Sequence, residues 1–231
     1  MRFALATAAL AMLPALMAGG VRAERAPNWV AAWTASAHGP YPVGNPTAPP
    51  DMRFALPSAE TGARDQTFRL IVRPDIWGKQ ARIRLSNAFG TRTLAIDGVH
   101  AGLQSSGAAL VPSTNRKLTF GGKPDVRIAP GQSAWSDPVA LPWVKNPRDP
   151  MLANRKLAVS FHVAGESGPL TWHAKALQTS YVSAPGTGSL GGGDAEDPFP
   201  FSTASVADPL TLPPDIHFGE IAGVAVNSKG H

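Results

Sequence analysis

The chain has 231 residues with 23 Gly, 23 Pro, 43% hydrophobic and 16% charged residues, and a formal net charge of +5. That is too much apolar material for a disordered tail and too little charge for a coiled coil, and the 21 Lys and Arg are too scattered to suggest nucleic-acid binding. The lack of cysteine excludes disulfides, thiolate zinc sites, iron–sulfur clusters and a cysteine nucleophile, so packing has to stabilise the fold.

Residues 1–23 read as an export signal. Met1-Arg2 supplies the positive end, Phe3 to Ala18 the apolar core interrupted by Pro14, and Val21-Arg22-Ala23 a small-residue cleavage site, so cleavage is expected after Ala23. The apolar stretch is shorter than the roughly 20 residues of a spanning helix, and no stable membrane insertion is expected after cleavage. The protein is expected to be exported, to the periplasm or beyond the cell. Arg2 and Arg22 leave with the signal, which weakens any argument for an acidic partner drawn from overall charge.

From Ala37 to Pro57 the density of Gly, Pro and Asn predicts a long irregular loop. Beyond it, segments rich in β-branched and aromatic residues and bounded by turn formers predict strands at Thr67–Val72, Ala81–Leu85, Leu94–Leu103, Lys117–Phe120, Val126–Ile128, Lys156–Val163 and Ala176–Val182. Arg82 to Leu85 and Leu157 to Val163 alternate with period two, which predicts strands with one buried and one small or polar face. No window carries a helical stripe. Residues 24–183 are therefore expected to form one all-β domain, an antiparallel β-sandwich or jelly roll with long Pro- and Gly-rich loops. Pro142 to Pro150 is expected to connect strands. Ala184 to Pro200, rich in Gly and Pro, reads as a flexible linker, and 201–231 as a poorly ordered tail holding one apolar run, Ile221 to Val226.

No Gly-x-Ser-x-Gly turn occurs. Gly165-Glu166-Ser167-Gly168 falls one residue short and is expected to be a hairpin loop, and Gly191-Gly192-Gly193-Asp194 lacks the Lys-Ser/Thr of a phosphate loop. Of the six His, only His162 and His173 are expected to approach each other, on the two arms of a hairpin around Gly165. With no carboxylate at ligand spacing, neither a metal site nor a cofactor is expected. Trp29, Trp33, Trp77, Trp135 and Trp172 sit near polar residues or turns. Surface indoles on a sandwich suit the apolar faces of sugars, and the alternative is that they lie in the core.

The pieces Trp29-Val-Ala-Ala-Trp33-Thr-Ala-Ser36, Phe68-Arg-Leu-Ile-Val-Arg-Pro74, Arg82-Ile-Arg-Leu-Ser-Asn-Ala-Phe-Gly90, Ser136-Asp-Pro-Val139, Thr171-Trp-His173 and Thr179-Ser-Tyr-Val182 resemble, in order and spacing, the N-terminal region of secreted bacterial SGNH (GDSL-type) hydrolases. The likeness runs from about Trp29 to Thr203. It implies a β-rich region that precedes or packs against an α/β/α catalytic domain, in which a Gly-Asp-Ser turn carries the nucleophile and a terminal Asp-x-x-His the base and its partner.

None of those catalytic blocks is present. After Phe201-Ser-Thr203 the chain reads Ala204-Ser-Val-Ala-Asp-Pro-Leu; Phe218-Gly219-Glu220-Ile221 lacks the serine, and Asp215-Ile216-His217 is one residue short of Asp-x-x-His. No catalytic residue is assigned. The expectation is an accessory, non-catalytic region of an exported ester hydrolase, either a truncated product or a stand-alone module. Its expected partners are a carbohydrate or carbohydrate ester and an SGNH catalytic domain; a free carbohydrate-binding module and a part of an active hydrolase are the alternatives. The candidate binding residues are Asn87, Trp172 and His173, which stand in the two most specific pieces of the resemblance. Against that stands the reading in which Asn87 and Gly90 fix a turn and Trp172 seals the sheet.

Overall fold

Period-two burial organises the chain into two antiparallel sheets. The computed structural model describes residues 28–41, 53–56, 58, 60–173, 178–203 and 223–227. The strands are β1 (Trp29–Thr34), β2 (Arg64–Val72), β3 (Gln80–Ser86), β4 (Leu94–Leu103), β5 (Arg116–Lys117), β6 (Val126–Ile128), β7 (Ser133–Trp135), β8 (Val139–Ala140), β9 (Leu157–Glu166), β10 (Ser180–Val182), β11 (Phe201–Thr203) and β12 (Gly223–Asn227). One short 3-10 turn, Pro150–Leu152, is capped by the Asp149 carboxylate. The expected signal, 1–23, and Asp215 to Ile221 lie outside the described residues.

The smaller sheet has the order β1-β12-β3-β7, with β8 also on β3; the larger runs β11-β10-β2-β9-β4-β5, with β6 on β4. Their apolar faces meet. Ala81, Ile83 and Leu85 of β3 pack in one cluster with Phe68 and Val72 of β2, Leu94, Ile96 and Val99 of β4, and Leu157, Val159 and Val163 of β9. This is the antiparallel all-β sandwich that the alternation predicts. Phe68 and Phe161, directly opposite on β2 and β9, stack with centroids 5.5 Å apart.

β3 keeps the expected alternation, burying Ala81, Ile83 and Leu85 and leaving Gln80, Arg82, Arg84 and Ser86 partly exposed. β9 departs from it: Ala158, Ser160 and His162 are buried as well as the core-facing residues. Ala158 packs with Ile71 and Leu110, and what covers Ser160 and His162 is residues 186–199, expected as a flexible linker. This segment lies along the outside of the larger sheet as a strap, accepting hydrogen bonds from β2 at Gly188, Gly193 and Ala195 and from Asn115 at Gly191, and it buries Phe199. Its glycines serve close approach as much as freedom: a Cβ on Gly191 would stand 2.6 Å from the Gly98 carbonyl oxygen and 3.2 Å from the Ser160 Cβ. Ser160 is small because a backbone passes over it.

Of the tail expected to be poorly ordered, 201–203 form β11 at the edge of the larger sheet and 223–227 form β12 between β1 and β3, and the rest lies outside the described residues. One further expectation needs correction. The hairpin around Gly165 does not form, because β9 and β10 both pair with β2, which lies between them.

Candidate functional site

The three residues singled out from the sequence lie toward one end of the sandwich, where the turn after β3 meets the segment after β9. Asn87 is 3% exposed, and its amide nitrogen donates to the carbonyls of Arg92 and Ile128, each at 2.8 Å. Its own backbone carbonyl accepts from Gly90 and Gly131. Both amide hydrogens are spent on tying the 87–92 turn to β6, so Asn87 shapes this end of the fold and presents no amide donor to a ligand.

Trp172 and His173 form a ring cluster with His38 and Tyr41. The Tyr41 ring meets Trp172 edge-on at 5.3 Å, and His38 stacks on His173 at 5.8 Å. His38 and Trp172 also share a backbone bridge, and the His173 Nδ1–H donates to the Ser36 carbonyl at 2.9 Å. Trp172 is half-buried against the main core. The Phe89 amide donates to the Thr171 hydroxyl at 2.9 Å, which joins the Asn87 turn to this cluster. His162 does not belong to it.

His162 lies on the outer side of the larger sheet, between two carboxylates. Its Nδ1 is 2.7 Å from Asp97 Oδ1 and its Nε2 is 2.8 Å from Asp65 Oδ1. Each Asp adjoins a bulge: the β2–β9 register shifts between Arg64 and Gln66, with Asp65 at φ 49°, and the β4–β9 register shifts between Asp97 and His100, with Gly98 at φ 54°. Sequence reasoning looked for a carboxylate near His162 along the chain, and strand pairing brings two from neighbouring strands. Both ring nitrogens are engaged, so neither is free to ligate a metal or activate a hydroxyl, and the array acts as a clamp across three strands. Ser167, the serine of the incomplete nucleophile pattern, is 2% exposed; its hydroxyl accepts from the Ala63 amide and donates to the Gly168 carbonyl.

The outward face of the smaller sheet carries a feature that the sequence did not assemble. The Arg82 guanidinium lies 4.8 Å from the Trp29 ring and 4.5 Å from the Trp135 ring. Trp135 is 40% exposed, and Arg84, its direct partner across β3 and β7, lies 5.9 Å from the same indole. Trp77, by contrast, is buried and donates its indole N–H to the Leu152 carbonyl. The tryptophans thus divide between core and surface. On the larger sheet, a polar recess of about 360 Å³ is lined by Gln104, Lys156, Gln178, Thr179 and Tyr181; burial, and then the charge of Glu196, push the Tyr181 hydroxyl above its ordinary pKa. Among the described residues, no group of three or more His, Asp or Glu is placed to hold a metal ion, and no helix is long and apolar enough to cross a membrane. Compared with known proteins, the chain matches no family model and no curated protein.

Proposed function

We propose that this chain is the β-sandwich accessory region of an exported SGNH-type ester hydrolase, that it has no ester-cleaving activity of its own, and that it serves the complete enzyme by binding a carbohydrate-ester substrate. The observation that carries this reading is the mutual contact of the pieces on which the resemblance rests. His173 bonds the carbonyl of Ser36, 137 residues away; Phe89 bonds Thr171; and the Ile83 amide bonds the Ser136 hydroxyl. The test is hydrolysis of p-nitrophenyl acetate by the purified exported protein: background turnover is expected, and turnover blocked by a serine-directed inhibitor overturns the accessory role.

A stand-alone carbohydrate-binding module is the second reading. The exposed indole of Trp135 beside Arg82 favours it, since indole faces pack on the apolar faces of sugars. Retention on insoluble glycans without any catalytic partner supports it.

A further inference from the structure

We infer that the outward face of the smaller sheet, at Trp29, Arg82 and Trp135, binds an acidic polysaccharide, with the carboxylate of a uronic-acid residue on Arg82 and sugar rings against the indoles. This rests on the carbohydrate-binding part of the proposed function and names the class of glycan.

The site is built by register. Ala225 of β12 pairs with both Ala31 and Arg82, which places Arg82 two strands from Ala31, and Trp29, two residues from Ala31 along β1, lies 4.8 Å from the guanidinium. A planar guanidinium held between two indoles is fixed in orientation before any ligand arrives. Yet no hydrogen bond or ion pair engages the Arg82 side chain among the described residues, and its Nε is buried without a partner. That N–H is closed to solvent, and a bidentate carboxylate fits the two terminal nitrogens of the guanidinium fork. Arg84 lies on the same face about 7 Å further along the strand, so a chain with carboxylates on successive sugars meets a second cation. An acidic peptide fits less well. Peptides add to sheets along an unpaired edge, and here the cations stand on the face of β3, which is paired on both sides.

The experiment is titration of the full exported chain with oligogalacturonate, neutral xylo-oligosaccharide and polyglutamate, read by calorimetry and tryptophan fluorescence at low and high salt. Oligogalacturonate is expected to bind roughly tenfold or more tighter than the neutral oligosaccharide, with a preference that salt erodes. Arg82→Gln is expected to abolish that preference, and Arg82→Lys to keep the salt dependence at reduced affinity. If Arg82→Gln does not fold, Arg84→Gln is expected to reduce the preference in part, and the wild-type salt dependence still decides. Equal affinity for acidic and neutral sugars overturns the inference and leaves the carbohydrate-binding reading standing; no binding to either overturns both. Polyglutamate binding as tightly as oligogalacturonate makes this a general anion or peptide face and overturns the inference.

Discussion

The guanidinium carbon of Arg69 lies 4.3 Å from the centroid of the Phe199 ring, which joins the middle of β2 to the far end of the strap. Arg69 is fully buried. Its Nε donates to the Ser160 hydroxyl at 2.8 Å, one terminal nitrogen to the carbonyls of Ala108 and Ala195 at 2.6 and 3.2 Å, and the other to the Gly193 carbonyl at 2.6 Å. Desolvation pulls its pKa down to about 10, with the charge of Asp194 opposing the fall. A buried cation is tolerated here because a fan of oxygens surrounds it.

Replacing Arg69 with Met keeps most of the length and removes every one of those donors. The strap carbonyls then either stay unpaired, at about 1–3 kcal/mol each, or the strap lifts off and exposes Phe199 and Ser160. A loss of about 3 kcal/mol or more is expected in urea unfolding. Arg69→Lys is expected to recover little of it, because one ammonium cannot span Ser160, Ala108 and Gly193 together. Limited proteolysis of Arg69→Met is expected to cut between Gly186 and Phe199, where the wild type resists. Wild-type stability in Arg69→Met removes the strap's anchor from this account.

The strap also marks where sequence reasoning reached its limit. Strands β2, β3, β4, β6 and β9 are readable because their own residues alternate or are β-branched, and the burial of β3 follows that reading residue by residue. Residues 184–200 read as a linker because Gly and Pro composition signals the absence of regular structure, and irregular backbone can still be pinned by a partner more than a hundred residues away. Gly191 illustrates the point, being glycine because the Gly98 carbonyl leaves no room for a Cβ. Strand β12 is hidden for a related reason: Gly223–Asn227 is a short segment after a Pro-rich stretch, and pairing with β1 and β3 makes it a strand. At the candidate site, Trp172 and His173 do fall in one cluster, and the contents of that cluster, His38 and Tyr41, come from the loop before β2. The Trp29–Arg82–Trp135 stack leaves no local trace at all, since it depends on a register between strands far apart in the chain.

His162 tests the bulge clamp. His162→Gln keeps a polar side chain of similar reach, but a single amide cannot copy two ring nitrogens placed to face Asp65 and Asp97. A loss of about 1–3 kcal/mol is expected, given that the carboxylates are partly exposed and stay hydrated in part. A double-mutant cycle with Asp97→Asn is expected to show coupling, with the second change costing less in the His162→Gln background than alone. Strictly additive effects remove the clamp from the account.

Asp137 gives the acid limb of stability a named contributor. Its carboxylate accepts from the Thr119 hydroxyl at 2.6 Å and from the amides of Gly122 and Gly121 at 2.8 and 3.0 Å, bonds that favour the ionised form and hold its pKa below the ordinary 3.8. The unfolded chain binds this proton first as pH falls, so the contribution is present above pH 3.8 and disappears as pH drops through the lower folded value. Asp137→Asn is therefore expected to be less stable than wild type at neutral pH and to lose less on acidification. Thermal melts of both proteins across that range check it, and parallel acid limbs count against it.

His100 predicts the opposite kind of group acting in a milder range. Its Nδ1–H donates to the Gly98 carbonyl at 2.8 Å, and a Cβ on Gly191 or Gly192 of the strap would stand 3.2 Å from its Nδ1 or 3.6 Å from its Nε2. Burial is the main cause of a pKa below the ordinary 6.5; the Gly98 bond partly offsets it, and the charges of Lys117 and Arg69 add to the fall. The folded state thus resists protonation that the unfolded chain accepts. Stability is expected to decline as pH falls below 6.5 and to level off once the folded-state value is passed, because the unfolded state binds the extra proton only between those limits. His100→Gln removes the titrating ring, so its urea midpoint is expected to fall less than that of wild type between pH 7.5 and 5.5. The difference between the two proteins isolates His100 from the other histidines, and an identical fall in both assigns the acid sensitivity elsewhere. Because the ring sits beneath the strap, protonation also has a local readout: the protection of the Gly191 to Gly193 amides, taken relative to their intrinsic exchange rates at each pH, is expected to fall below pH 6.5 in wild type and to stay level in the variant.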